Sequence, residues 1–176
     1  PEESCIPLIK RVSPDHGAIS EPLAIGVYSV KQSIPVKGAK IGILGFGPIG
    51  MSVMLAAKAQ GAKDFYVTDK IDSRLSIALE EGAALIANPL RDNIVNKILN
   101  IEPLALDVVF ECCGQQDAFD EAIDLLKPGG KLMVVGIPEF ENWSLNVEKT
   151  RRKEITVQFV RRQVDCVETA IELLRS

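Results

Sequence analysis

The chain has 176 residues, of which 47% are hydrophobic and 25% are charged, and its formal net charge is −4. This balance is typical of one globular domain, and the net acidity disfavours nucleic acid or an anionic membrane surface as a partner. No run approaches the roughly 20 apolar residues of a membrane helix, and the sequence does not open on a signal-peptide pattern, so we expect a cytoplasmic protein without a membrane partner.

The first predicted element is an amphipathic helix over residues 21–33. Its apolar face consists of Leu23, Ala24, Val27 and Val30. Residues 35–38, Pro-Val-Lys-Gly, then interrupt the chain before the first strand. We therefore divide the sequence into a lead-in segment, residues 1–34, and a main domain, residues 35–176. Because the sequence starts Pro1-Glu-Glu without methionine, we expect it to be a fragment of a longer protein.

The most informative segment is a predicted strand, residues 40–44, with the glycine-rich turn that follows it. In a dinucleotide-binding βαβ unit the first glycine of this turn, Gly45, allows the tight turn. The second, Gly47, leaves room for the pyrophosphate, and the third, Gly50, lets the next helix pack closely on the strand. The context of strand, glycines and helix therefore predicts dinucleotide binding.

The helix after this turn and the end of the second strand supply the remaining groups. Unpaired N–H groups and a partial positive charge at the helix start, up to about Ile49, favour an anion, and Pro48 suits the first helical position. Asp69, which ends the second predicted strand, can accept hydrogen bonds from both hydroxyls of the adenosine ribose.

Strands and helices alternate over the rest of the chain. Further strands are predicted at 63–68, 84–87, 107–112, 131–135 and 154–160, and crossover helices at 49–60, 73–81, 93–99 and 117–126. A closing helix at 165–174 would turn inward Val167, Ala170, Ile171 and Leu174. Because the strands are apolar throughout, both faces of the sheet must be covered. We predict an α/β Rossmann fold, a doubly wound sheet of six parallel strands with helices on both faces.

Cysteines and basic residues give weaker signals. The four cysteines, Cys5, Cys112, Cys113 and Cys166, are too irregularly spaced for a disulfide scaffold or a C-x-x-C metal site. Cys112 and Cys113 lie in one apolar run and are predicted to be small buried thiols. The basic cluster at 151–153 is interpreted as a solvated loop or strand end.

Several segments, in the same order, resemble the zinc-dependent medium-chain alcohol and polyol dehydrogenases, especially the sorbitol and threonine dehydrogenase branch. These segments are residues 17–24, 36–50, Asp69 with Arg74-Leu75, 110–114 and 126–137. The resemblance implies the NAD(H)-binding domain of an enzyme that oxidises a secondary alcohol or polyol by hydride transfer to NAD. The ligands of the parent protein would be NAD and a small alcohol or polyol. We also expect a homo-oligomer, although the sequence does not fix the oligomeric state.

Carried over residue by residue, the resemblance implies that backbone groups of Val135, Gly136 and Ile137 contact the nicotinamide carboxamide. Val160 and Arg161 would flank the same end of the cofactor. The complete expected cofactor-binding set is Gly45, Gly47, Pro48, Ile49, Gly50, Asp69, Lys70, Arg74, Cys112, Val135, Gly136, Ile137, Val160 and Arg161.

The resemblance places the zinc ligands in a catalytic domain that precedes this segment, and it implies that Glu21 lies in or beside the zinc shell of the whole protein. From the residues alone, Glu21 is a carboxylate stabilised by the start of a helix, and both interpretations stay open. His16, the single histidine, is predicted to lie in a solvent-facing loop, because a catalytic zinc needs three converging protein ligands. We therefore expect no catalytic residue and no turnover in this fragment, and zinc only in the parent.

Two other function classes are compatible with a glycine-rich turn and an acidic end of the second strand. One is a non-catalytic NAD-sensing domain, for which the sequence shows no output segment. The other is an S-adenosylmethionine-dependent methyltransferase, which the Pro48-Ile49 helix start and the Gly129-Gly130 entry to the fifth strand disfavour.

Overall fold

The computed structural model describes residues 5–8 and 12–175. Its strands are β1 (Lys40–Leu44), β2 (Asp64–Thr68), β3 (Leu85–Ala87), β4 (Leu106–Glu111), β5 (Leu126–Val134) and β6 (Thr156–Phe159). Its helices are α1 (Pro14–Ala18), α2 (Ser20–Lys31), α3 (Pro48–Ala59), α4 (Asp72–Glu80), α5 (Ile94–Ile101), α6 (Gln116–Leu125), α7 (Val147–Arg152) and α8 (Val167–Leu173). All neighbouring strands are parallel and their order is β3-β2-β1-β4-β5-β6. The predicted doubly wound fold is confirmed.

The central strands are apolar along their length because both of their faces are covered. Ile41 of β1 pairs with Phe65 of β2 on one side and with Val108 of β4 on the other. Ile41 belongs to a core on one face of the sheet, whereas Leu44 belongs to a second core. Successive strand residues therefore serve two hydrophobic layers, which explains why no in-and-out polar alternation is visible in the sequence.

Helix α2 is part of this core. Its predicted apolar face, Leu23, Ala24, Val27 and Val30, is buried. A Cβ at Gly26 would lie 2.4 Å from the carbonyl carbon of Ser52 in α3, so the two helices pack closely along their backbones. The domain boundary between residues 34 and 35 stays a prediction. At the other end of the chain, α8 buries Ala170 and Ile171 as predicted, whereas Val167 and Leu174 are only partly buried.

The short helices α1 and α7 were not predicted. His16 therefore lies in a helix and not in the expected loop, although it is exposed as expected. Both helices carry N-terminal caps, since Ser13 accepts a hydrogen bond from the amide of His16, and Asn146 accepts one from the amide of Lys149. The available signals were these capping residues and, for α1, Pro14 at the first helical position, because helices this short show no apolar period.

The interpretation of residues 151–153 as solvated is wrong for Lys153. Its ammonium donates to three main-chain carbonyls at the end of α6, namely Ile123 O at 2.9 Å, Asp124 O at 2.8 Å and Leu126 O at 2.8 Å. Burial lowers the pKa of Lys153. This lysine therefore caps the C-terminus of α6, because the carbonyl groups at the end of a helix favour a cation. Arg151 and Arg152 are exposed, as expected.

Candidate functional site

A crevice lies where the direction of the chain reverses in the sheet. From β1 the chain runs outward to β2 and β3, and it then returns to place β4 on the other side of β1. In open α/β sheets, ligands bind beyond the carboxyl ends of the strands at this point. A cavity of about 530 Å³ lies there, and four of the predicted residues line it, namely Gly45, Asp69, Lys70 and Arg74.

Two glycines of the turn are required by the geometry of the chain itself. Gly45 has a φ of +94°, and a Cβ there would lie 2.8 Å from the Cβ of Cys113. A Cβ at Gly50 would lie only 2.1 Å from the carbonyl oxygen of Gly45. The first glycine therefore makes the turn, and the third allows α3 to approach the end of β1.

Gly47 has no such internal requirement among the described residues. Its φ of −76° suits any residue. A Cβ at this position would meet only the guanidinium of Arg74, with the nearest nitrogen at 3.5 Å. The space left by the missing side chain lies at the N-terminus of α3, where Pro48 is the first residue and no side chain caps the helix. A phosphate group fits this place because the first-turn amides of a helix bind anions.

Asp69 is fixed at the end of β2. Its carboxyl group, of which 6% is exposed, accepts hydrogen bonds from the amide of Phe46 at 2.7 Å and from the amide of Ile71 at 2.8 Å. A guanidinium nitrogen of Arg74 lies 3.5 Å from it. Since each carboxylate oxygen has two lone pairs, Asp69 retains acceptor capacity for hydroxyl groups. The same carboxyl group also holds the glycine-rich turn in place.

The far wall of the cavity was not predicted. It includes Leu90, Ile94 and Ala118, together with the polar residues Gln115, Asp117 and Glu121. Burial, and next to it the charge of Asp117, raises the pKa of Glu121. The available signal was the helical spacing of Asp117, Ala118 and Glu121, which places them on one face of the helix that follows β4.

The residues expected at the nicotinamide end lie outside this cavity, beyond the carboxyl ends of β5 and β6. The amides of Val135 and Gly136 donate to the carbonyl of Glu111 at 2.8 and 2.9 Å. Ile137 is 90% exposed. Val160 donates to the carbonyl of Val134, and Arg161 is exposed. The predicted residues that line the cavity and those expected at the nicotinamide end therefore lie at the same edge of the sheet, beyond the carboxyl ends of the strands. Strand β4 lies between the two groups.

The two adjacent cysteines differ in their exposure to solvent. Cys112 is half-buried against the core, and burial raises its pKa well above the ordinary value. The prediction of a buried thiol is wrong for Cys113, which is exposed and lines the cavity because it lies in the turn beyond β4. Its thiol donates to Glu111 Oε1 at 3.1 Å. Although the residue as a whole is exposed, neighbouring atoms desolvate its sulfur, and this desolvation, followed by the Glu111 carboxyl, raises the pKa of Cys113 to about 12.

Cys113 should consequently resist alkylation near neutral pH. Below its raised pKa the sulfur stays a thiol, so about 1 in 10⁴ molecules carries the reactive thiolate at pH 8. Iodoacetamide at pH 8 should modify Cys113 on the order of 100-fold or more slowly than a free cysteine peptide, and the rate should rise about tenfold per pH unit up to pH 10. Peptide mass spectrometry measures both rates. Modification of Cys113 as fast as the reference peptide would contradict this assignment.

The described residues do not form a zinc site. Over residues 5–8 and 12–175, no three His, Cys, Asp or Glu side chains converge on a point that could hold a metal ion. Glu21 is exposed in the first turn of α2. A catalytic zinc, with three protein ligands, does not fit the part of the chain seen here. Within the same residues, no helix is long and apolar enough to cross a membrane.

Comparison with known proteins places this geometry among dehydrogenases. Residues 48–176 match a family model described as zinc-binding dehydrogenase. The chain is 33% identical to sorbitol dehydrogenase from Ovis aries over 98% of its own length and 49% of that protein. It superposes with a TM-score of 0.90 on 2R,3R-butanediol dehydrogenase from Bacillus subtilis, at 30% identity, covering 99% of this chain and 50% of that one.

A zinc-binding dehydrogenase structure from Sinorhizobium meliloti 1021, bound to NADP, superposes with a TM-score of 0.92 at 26% identity. The superposition covers 99% of this chain and 52% of that one. The chain spans about half the length of the curated relatives it matches.

Proposed function

Because this chain belongs to the zinc-binding dehydrogenase family, we propose that it is the NAD(H)-binding part of an enzyme that oxidises a secondary alcohol or polyol. The observation that carries the cofactor proposal is Gly47. Its ordinary backbone angles and the open space at its Cβ leave no steric requirement for a glycine within the described chain, whereas a diphosphate on α3 would need that space.

Different groups of the described residues would bind different parts of the cofactor. Asp69 would accept hydrogen bonds from the adenosine ribose, and the amides of residues 47–49 would bind the diphosphate. Backbone groups of residues 135–137, flanked by Val160 and Arg161, would orient the nicotinamide. Bound NAD would supply the hydride acceptor. The chain itself would bind and orient this group at the edge of the sheet.

The names of the relatives support the substrate class. Sorbitol dehydrogenase and butanediol dehydrogenase act on polyols and diols, so we propose a substrate with a secondary hydroxyl group. Since the described residues offer no set of three metal ligands, we propose that zinc binds in another part of the whole protein. Homo-oligomeric assembly and a cytoplasmic location stay predictions.

Titration separates the proposed function from its alternatives. NADH should bind saturably to the chain and quench the emission of Trp143, whereas S-adenosylmethionine should not. Tighter binding of S-adenosylmethionine would instead indicate a methyltransferase.

Turnover separates an enzyme from a sensor. With saturating NAD⁺, added zinc and sorbitol or butanediol, the 176-residue chain should form no NADH, whereas the full-length protein should form it. A full-length protein that binds NADH but does not reduce NAD with any secondary alcohol would support the sensing alternative.

A further inference from the structure

Glu111 is an acidic residue in an unusual place. It ends β4, next to the crevice, and it is 0% exposed. Buried acidic side chains are nearly always paired with a cation, yet no lysine or arginine in the described part of the chain forms an ion pair with Glu111. Its surroundings must therefore explain why a carboxyl group is present.

Main-chain amides surround Glu111 on two sides. Its side-chain Oε1 accepts hydrogen bonds from the amides of Cys113 at 2.9 Å and Gly114 at 2.6 Å, in the loop after β4. Its main-chain oxygen accepts the amides of Val135 and Gly136, in the loop after β5, at 2.8 and 2.9 Å. One residue thus ties together two loops that are distant in sequence.

The backbones of the loop after β4 and the loop after β5 are in close contact, and no side chain fits between them at Gly114 or Gly136. A Cβ at Gly114 would lie 2.4 Å from the carbonyl oxygen of Ile137, and a Cβ at Gly136 would lie 2.2 Å from the amide nitrogen of Gly114. The second carboxyl oxygen of Glu111 lies 2.8 Å from that same Gly136 Cβ position, and it has no hydrogen-bond partner. A buried oxygen without a partner costs stability, so stability alone does not account for this carboxyl group.

We propose that Glu111 is a positioning residue for the nicotinamide half of the dinucleotide. It fixes the spacing between the loop after β4 and the loop after β5, and it thereby places residues 135–137 against the nicotinamide. This inference rests on the proposed function. The adenosine half is held on the other side of β1 by Asp69, whose hydrogen bonds go to Phe46 and Ile71 and do not involve Glu111.

The two halves of the cofactor provide the test. We expect Glu111→Ala to raise the Kd for NADH about tenfold or more, because the loop after β4 loses the acceptor of two amides. The Kd for ADP-ribose, which lacks the nicotinamide, should stay within about twofold. Glu111→Gln keeps an acceptor oxygen and should restore NADH binding to within about threefold of the wild type.

Asp107 offers a matched control at the opposite end of β4. Its carboxyl accepts the amide of Lys40 at 2.7 Å and pairs with Lys127. Asp107→Asn should lower stability and leave the ratio of the NADH and ADP-ribose affinities unchanged. If Glu111→Ala weakens both ligands equally or weakens neither, the positioning role is wrong. If the wild-type chain binds neither ligand, the proposed function itself fails.

Amide hydrogen exchange of the wild type supplies a second measurement that does not depend on the variant folding. The amides of Cys113 and Gly114 should exchange as slowly as those within β4, because a buried carboxyl group accepts them. Exchange at the rate of exposed loops would show that Glu111 does not hold the loop, and it would overturn the inference.

Discussion

The Gly47→Val variant should keep the fold of the wild-type chain and lose NADH binding. Valine adopts the observed φ of −76° without strain, and its Cβ would meet only the side chain of Arg74 at 3.5 Å. The added methyl groups would, however, occupy the space in front of the first turn of α3. Because Gly47 is the N-cap of α3, where valine is less favourable than glycine, we expect the free energy of unfolding to fall by about 1 kcal/mol, which leaves the domain folded. The Kd for NADH should rise about 100-fold or more.

Gly50→Ala is the contrasting variant. It adds fewer atoms, but its Cβ would lie 2.1 Å from the carbonyl oxygen of Gly45, so α3 must move away from β1 and the fold should be severely destabilised. Ala18→Val, on the exposed surface of α1, should change neither property. Circular dichroism with urea unfolding reports the fold, and NADH fluorescence reports binding. If Gly47→Val is unfolded, this glycine is needed for the backbone conformation of the turn. If the variant binds NADH as tightly as the wild type, the diphosphate binds elsewhere.

The wild-type chain should bind NADH about 100-fold more tightly than NADPH. Two negative charges about 4 Å apart at an effective dielectric of 20 repel by roughly 4 kcal/mol, which would by itself give a preference near 1,000-fold. Arg74, 3.5 Å from Asp69 and 38% exposed, lies where it can pair with a 2′-phosphate and offset part of this repulsion.

Asp69→Asn removes the charge and one of the two acceptor oxygens. The asparagine oxygen can still accept the amide of Phe46, which holds the turn, whereas the amide of Ile71 loses its acceptor, so we expect some loss of stability while the NADH preference falls about tenfold or more. Asp64→Asn, at the exposed amino end of the same strand, should leave the preference unchanged. Competition of both cofactors in one fluorescence assay measures the ratio. Wild-type binding of NADPH as tight as NADH would contradict the role given to Asp69.

The glycine-rich turn and the sheet were predictable because they depend on short stretches of sequence. Gly45 and Gly50 meet within one turn of chain, and the central strands β1, β2 and β4 show their burial in their own apolar residues. The acid Asp69 follows at the spacing that a βαβ unit imposes.

The role of a residue cannot be predicted from the sequence when it depends on a distant segment of the chain. Lys153 looked like one member of a solvated basic cluster, because nothing in its neighbourhood reveals the carbonyls of α6. Glu111 stands within an apolar run of the sequence, and its contacts with the loop after β5 appear only in the folded chain. The far wall of the cavity, with Leu90 and Glu121, is likewise assembled only when separate strands come together.

The pairing of β1 with β4 has a consequence for the order of folding. Lys40 and Asp107, which hydrogen-bond at the start of this pair, are 67 residues apart in the chain, whereas β1, β2 and β3 follow one another. During synthesis the first three strands can associate before β4 has left the ribosome, and closure of the long loop comes later. The crevice has one wall from each side of that late pairing, so a nascent chain acquires it only after β4 has joined the sheet.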